Sequence, residues 1–290
     1  MRKTKSKKKK IYLRKTTSKL MMTLVMGFAA LGIIYPFAWM VSASFKRPAD
    51  IFKFPIKWIP DYLYLDNYQY IFTNKTYDFL GMYGNSIKVT VISVAGALLV
   101  SILAAYGFSK LKFPGRDKIF LLFIAMMIIP NQVLMVPRFI IFQWLGIINT
   151  HAALIIPGFF VILNTFLLRQ YFVQIPDAIS ESAFIDGANH LRICFQIIVP
   201  LAKPIITTFI IVVATVYWND YDMPLVLLRS KELFTVPVGL AYFSMAMRYG
   251  ATEFHYLMAG ATISILPLMI IFFLGQKQFI EGLTAGAVKG

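Results

Sequence analysis

This sequence is short of charge, and above all of acid. Only 14% of its residues are charged, and Asp and Glu together number 13 against 29 Lys and Arg. Hydrophobic residues make up 58% of the chain and aromatics 16%, which leaves too little polar surface to cover one water-soluble domain of 290 residues. Cysteine is nearly absent. The single Cys194 allows no intrachain disulfide and fits neither a zinc cluster nor an oxidised scaffold. The three histidines, His151, His190 and His255, stand far apart and lack the His-Glu-x-x-His spacing of a metal hydrolase. No Gly-x-x-x-x-Gly-Lys-Ser/Thr loop is present to cradle a nucleotide phosphate, and no Gly-x-Ser-x-Gly elbow to raise a nucleophile. We therefore read no catalytic residue, no metal site and no cofactor.

What the sequence has instead is long apolar runs. A bilayer core of about 30 Å needs roughly 20 apolar residues in a helix, and six runs approach that length: Met21–Ala43, Ile87–Phe108, Ile119–Val136, Ala152–Leu168, Ile205–Trp218 and Tyr256–Gly275. The fifth could extend toward Leu228, but Asn219, Asp220 and Asp222 interrupt it. Helices satisfy their own backbone hydrogen bonds in lipid. The expected fold is all-α: a polytopic membrane protein with six transmembrane helices.

Charge orients it. With the N-terminus inside, residues 1–20, 109–118, 169–203 and 276–290 are cytoplasmic and hold 19 Lys/Arg against 5 Asp/Glu, while the outer segments hold 10 against 8. That excess follows the positive-inside bias and predicts both termini in the cytoplasm. The cluster Arg2, Lys3, Lys5, Lys7–Lys10, Arg14, Lys15 and Lys19 could suggest nucleic acid. Beside a span it reads as an orienting tail near anionic headgroups. The first run is too long for a signal-peptide core and is expected to remain as an anchor. The outer segment Phe45–Asn85 is too apolar for a free linker, and its Pro, Tyr and Trp residues suit a membrane interface. The predicted organisation is a basic tail (1–20), a first helix and outer loop (21–84), a membrane core (85–276) with an inner loop at 170–204, and a glycine-bearing C-terminal tail (277–290) expected to be flexible.

The inner loop is the most informative stretch. Pro176 and Asp177 make a helix start, with Asp177 placed to cap the first turn. Ala178, Ile179, Ala183 and Phe184 supply an apolar stripe. Gly187 tolerates the left-handed conformation that ends a helix. A second short helix runs from Asn189 toward Ile198, until Pro200 and Pro204 reset the direction into the fifth span. The product is a short rod with Glu181 near its start, able to offer a carboxylate to a partner's Arg or Lys, with Ala183, Gly187 and Ala188 permitting close approach. An ordinary amphipathic connector lying on headgroups is the alternative, but its surface would be richer in Lys and Arg.

Glu181-Ser182-Ala183, Asp186-Gly187-Ala188, then Ile197 and Pro200 resemble the Glu-Ala-Ala loop of binding-protein-dependent ABC importer permeases. Ser182 replaces the first Ala and Val199 the Leu before the proline. Asn85-Ser86, the turn Lys112-Phe113-Pro114-Gly115-Arg116, Trp218-Asn219-Asp220 before Pro224-Leu225, and the tail from Gly282 to Gly290 extend the similarity over most of Asn85–Gly290. It is strongest to the maltose-type second subunit of the carbohydrate branch. The resemblance implies the type-1 importer fold and a bacterial cell membrane. It also implies a carbohydrate, most naturally an oligosaccharide, as solute. Glu181, Ser182, Ala183, Asp186, Gly187 and Ala188 would couple to a cytoplasmic ATPase dimer. The remaining partners would be a second homologous permease and an extracytoplasmic solute-binding protein.

Polar residues in or beside the spans are candidates for a solute pathway: Asn131, Gln132, Asn164, Trp218, Asn219 and Asp220. A polar group in lipid is costly and faces a cavity or a neighbouring helix, so hydrogen bonding between helices competes with solute contact at each. Trp218 could stack on a sugar ring or anchor the outer interface. Pro130, Pro157 and Pro267 mark expected kinks. Two other functions stay open on the residues alone: an ion-coupled transporter or channel, weakened by the lack of acids deep in the spans, and a non-transporting membrane scaffold.

Overall fold

The computed structural model describes the backbone of residues 2–75, 78–248 and 254–287, with side chains over 19–75, 78–245 and 254–282. Among the described residues it is entirely helical, without a strand. In chain order, α1 spans Arg2–Ser44, α2 Pro48–Ile51, α3 Asp66–Thr73, α4 Phe79–Lys110, α5 Arg116–Ala125 and α6 Met135–Trp144. Then come α7 Ala152–Ile155, α8 Ile162–Gln174, α9 Asp177–Ile185, α10 His190–Ile193, α11 Val199–Leu201 and α12 Lys203–Trp218. The chain finishes with α13 Asp222–Leu227, α14 Val236–Arg248 and α15 Phe254–Ala287.

Four segments are long and apolar enough to cross a membrane: Lys19–Ser44, Phe79–Lys110, Ala152–Gln174 and Phe254–Gly282. A fifth is a bent pair, His190–Leu201 with Lys203–Trp218, turning by 84°. The first, second, fourth, fifth and sixth apolar runs therefore all lie on these elements. The third, Ile119–Val136, differs. Its helix α5 stops at Ala125, a 3-10 turn covers Met126–Ile128, and α6 starts only at Met135. Pro130 lacks an N–H and biases the preceding residue away from helix, and Ile129 is extended. Pro157 likewise sits in a 3-10 turn between α7 and α8. Pro267, in contrast, is carried inside the unbroken α15. The C-terminal tail also departs from its expected flexibility, because α15 continues through Gly282 and Gly286 to Ala287, with 288–290 outside the described residues.

The helix α4 is the spine, about 48 Å long at 1.5 Å per residue, and it packs on α8 and α12 while α12 packs along α15. Small residues let these helices approach closely. At Gly275 and Gly282 of α15, an added Cβ would fall 2.8 Å from Ile211 and 2.3 Å from Thr208 of α12. Two apolar clusters form at opposite ends of α4. One joins Ile102, Ala105 and Tyr106 of α4 to Phe172, Ala183, Ile193, Ile198 and Phe209. The other joins Phe79, Met82 and Val89 to Ile71, Phe142, Leu227, Phe234 and Phe243. The apolar stretch of α1 stays unburied while its C-terminal part packs on α15, as a helix facing lipid or a partner would.

Candidate functional site

The inner loop folds into the helix–turn–helix read from its caps. Pro176, in extended conformation, takes the N-cap position of α9. Asp177 does not cap the helix as expected. Its Oδ1 instead accepts from Lys110 Nζ at 2.7 Å, and the same ammonium donates to the Ile175 carbonyl. The Lys110 side chain is 4% exposed and that of Asp177 70%, so the end of α4 reaches out and clasps the start of α9. This bond and charge hold the Asp177 carboxyl below its usual range, with Lys112 adding a smaller pull. At the other end Gly187 has φ +82°. Its N–H donates to the Phe184 carbonyl and the Ala188 N–H to that of Ala183, at 3.0 and 2.9 Å. These two bonds are a Schellman closure. The side chain of Asn189 then accepts from the Arg192 N–H at 2.9 Å and starts α10.

Two faces result. Ser180 and Ala183 are buried, and Ala188 packs against the same inner cluster. The imidazole of His190 lies edge-on to Phe184, 4.7 Å away, and within 3.2 Å of the Tyr106 hydroxyl. Glu181, Ser182, Asp186 and Gly187 are exposed, and Ile185 is 87% exposed. Of the six candidate coupling residues, Ala183 and Ala188 thus seat the rod on its own protein, while the other four remain outward with Ile185. Among the described residues Glu181 enters no ion pair. Sequence reasoning missed the Lys110 clasp, because its partners are 65 and 67 positions away.

From α10 the chain passes through a π-helical turn, Cys194–Ile198, into α11 and then bends at Ala202 into α12. The direction is reset at Ala202 rather than at the prolines. Pro204 sits in the first turn of α12, where a missing N–H costs nothing, while Pro200 is carried within the helical segment His190–Leu201, just after its π-helical turn.

The breaks in the third and fourth apolar runs open a cavity of about 530 Å³. Asn131, Gln132, Arg138, Tyr217, Asp220 and Asp222 supply its polar wall. Tyr217 is fixed by donating to the Gly158 carbonyl, and the approach is close: a Cβ on Gly158 would meet Ser93 and Tyr217 at 3.2 Å. Asp220, just past the end of α12, has its carboxyl raised mainly by burial. The other three candidates lie elsewhere. Asn164 is buried on α8. Trp218 is 4% exposed, donates to the Ser264 carbonyl at 2.9 Å and stacks edge-on to Tyr83. Asn219 donates back to the Thr215 carbonyl at 2.8 Å. Arg138, Tyr217 and Asp222 went unnoticed as cavity residues because only the breaks bring them together.

Comparison with known proteins agrees with this architecture. Residues 97–284 match the family described as the binding-protein-dependent transport system inner membrane component. The arabinooligosaccharides transport system permease protein AraQ of Halalkalibacterium halodurans is 35% identical, over 96% of this chain and 99% of its own. The galactooligosaccharides transport system permease protein GanQ of Bacillus subtilis is 36% identical, over 92% and 94%. The trehalose/maltose transport system permease protein MalG of Thermococcus litoralis is 31% identical, over 92% and 96%. A crystal structure of a bacterial ABC transporter that imports the acidic polysaccharide alginate superposes with a TM-score of 0.79 at 27% identity, covering 90% of this chain and 95% of that one. The chain belongs to the family of binding-protein-dependent ABC importer permeases, multi-pass components of the cell membrane that carry no catalytic site of their own.

Proposed function

We propose that this permease imports a carbohydrate, an oligosaccharide in particular, as one half of an alternating-access pathway. A second homologous permease completes the pathway, a cytoplasmic ATPase dimer drives it, and an extracytoplasmic binding protein delivers the solute. In this reading both termini and residues 170–204 face the cytoplasm, with α9 docked on the ATPase. The three oligosaccharide- or disaccharide-named relatives support the solute class. So does a cavity wall of amides, a phenol and opposed charges, which can share hydrogen bonds with hydroxyl groups.

One observation carries the coupling role: α9 and the turn that closes it present Glu181, Ile185 and Gly187 outward while both ends of the element are tied to membrane helices. A capped rod moves as a unit. Displacement of its outer face passes through the Lys110–Asp177 clasp to α4, whose Ser93 lies against the cavity-lining Gly158, and through the α10–α11 segment to α12, which supplies Val216 and Tyr217 to the cavity wall. Closing and reopening of the ATPase dimer would thereby switch access to the cavity. Asn131, Gln132 and Asp220 contact the solute in this scheme; Asn164, Trp218 and Asn219 hold the helices that surround it.

The test combines Glu181→Lys with Gly187→Pro in the reconstituted complex. Proline can neither adopt a positive φ nor donate the N–H that closes α9. Loss of both solute-stimulated ATP hydrolysis and uptake, with the complex still assembled, is expected. Survival of both activities contradicts the coupling role.

A further inference from the structure

The segment after α1 does not extend away from the membrane helix but folds back along it. The Trp58 ring packs edge-on against Tyr35 at 4.7 Å, Phe52 lies 6.2 Å from Trp39, and the Ser42 hydroxyl donates to the Trp58 carbonyl. Tyr35 lies nine positions before the helix end at Ser44, so Trp58 returns about 13 Å along the helix axis. Phe54 and Ile59, beside it, are 88% and 84% exposed. Aromatic and aliphatic side chains held at this depth favour the bilayer interface.

Within this fold is a cavity of about 90 Å³ whose charged wall is Lys46, Arg47, Lys53 and Lys57 with Asp50 and Asp61. The acids are already engaged at its rim: Asp61 with Lys57 at 2.7 Å and Asp50 with Lys53 at 3.9 Å. Arg47 lies over the Tyr62 ring at 4.5 Å. Lys46 is different. It is only 4% exposed, and its ammonium donates to the Lys57 carbonyl. Among the described residues neither it nor Arg47 belongs to a salt bridge. A lysine ammonium has three donors, and a buried cation without a counter-charge is strongly unfavourable. Burial already lowers the Lys46 pKa more than Asp50 raises it.

We propose that the Lys46–Arg47 pocket binds the phosphate of an anionic phospholipid headgroup in the leaflet that surrounds the C-terminal end of α1. Phosphate supplies acceptors for the spare Lys46 donors and for the guanidinium of Arg47. Phe54, Trp58 and Ile59 accompany the acyl chains on the apolar side. The occupant is a lipid rather than a soluble anion because the pocket is two residues past a membrane helix and framed by side chains that need hydrocarbon. The inference is independent of which solute is imported and which ATPase drives it.

The experiment uses the full chain, purified with its associated subunits in neutral detergent and analysed by native mass spectrometry after exposure to lipid. The arms are phosphatidylglycerol, phosphatidylcholine, and phosphatidylglycerol with excess inorganic phosphate. Wild type is expected to retain phosphatidylglycerol over phosphatidylcholine. Loss of one charge-assisted contact in Lys46→Gln is expected to reduce retention about tenfold. Arg47→Glu alters only an exposed rim position, so it reports on the site even if the buried variant folds poorly, and it is expected to reduce retention at least as much. Equal retention by wild type and Arg47→Glu overturns the proposal, as does absence of any preference for phosphatidylglycerol. Full competition by inorganic phosphate overturns the lipid assignment in favour of a soluble anion. Loss of a co-purifying protein from Arg47→Glu with lipid retention unchanged assigns the pocket to a protein carboxylate and also overturns it.

Discussion

The two ends of α4 are built by different means. At the N-terminal end, side chains stitch the backbone together across long stretches of sequence. Asn85 donates to the carbonyls of Glu232 and Phe234, the Ser86 hydroxyl accepts from the Val236 N–H, and His151 meets the Leu233 carbonyl at 3.0 Å. Asn149, at φ 61°, accepts from the N–H groups of Arg229 and Ser230 and donates to the Ser230 hydroxyl. Asn67 holds the Ser44 and Lys46 carbonyls, and Tyr70 stacks on Tyr256 at 3.7 Å. At the C-terminal end, α9 rests on apolar packing, with one clasp from Lys110. Directional hydrogen bonds fix a single arrangement. Apolar packing against small residues allows a rod to shift, and a capped rod keeps its own shape while doing so. Coupling as proposed needs this contrast: an N-terminal end of α4 that stays fixed and a C-terminal end whose rod shifts.

Substitutions at each end should therefore fail differently. The largest effect is expected from Phe172→Ala, which empties a fully buried site beneath α9. A loss of about 3–5 kcal/mol in unfolding free energy, read by denaturant titration in micelles, is expected for a cavity of this kind, together with loss of coupled ATPase activity. Next is Asn149→Ala. It removes the acceptor of two backbone N–H groups, that of Ser230 part-buried and that of Arg229 exposed to water, and leaves alanine in a left-handed conformation, costing about 1–3 kcal/mol. In contrast to Phe172→Ala, it should lower thermal stability while ATP hydrolysis per folded complex stays coupled to solute. Gly282→Val drives a side chain to within 2.9 Å of the Pro204 carbonyl oxygen. Overpacking of about 1–3 kcal/mol is expected there, measurable as a lower melting temperature that Thr208→Ala partly restores.

The smallest effect is Asp177→Asn, under about 1 kcal/mol because the carboxylate is largely exposed. Its sign with pH is fixed. The folded carboxyl is depressed below its ordinary value near 3.8, so the clasp contributes fully above that value and is lost as pH falls through the lower folded one. Between pH 6 and 8 the difference in stability between wild type and Asp177→Asn should be flat. A slope in that range would place another titrating group at the clasp.

Much of the inner element was legible because its signals are local. Pro176, Gly187 and Asn189 each act on their own neighbours: Gly187 and Asn189 take the positions their chemistry favours, and Pro176 stands one residue earlier than the first helical position, at the N-cap of α9. Asp177 was misplaced as a cap because its ion partner is distant in sequence and nothing local indicates it. The third apolar run read as one span since composition is blind to where a helix must stop. Pro130, followed by the polar Asn131 and Gln132, lies at the break, whereas Pro267, followed by the apolar Leu268 and Met269, is accommodated inside α15. Trp218 had two readings of equal chemistry, and burial against Tyr83 with an N–H bond to Ser264 decides its place. The cavity was the least legible feature, because its wall is assembled from three stretches far apart in sequence, two of them at helix breaks.

The most direct measurement labels a single exposed position on the rod. Ile185→Cys adds a reactive thiol where the native side chain is 87% exposed, while Cys194 is fully buried and contributes little background. A membrane-impermeant maleimide should leave this cysteine unmodified in intact cells, modify it in inverted vesicles stripped of the ATPase, and lose access again when the ATPase is restored. Modification from outside intact cells, or reactivity unchanged by the ATPase, would contradict a cytoplasmic lever docked on its motor.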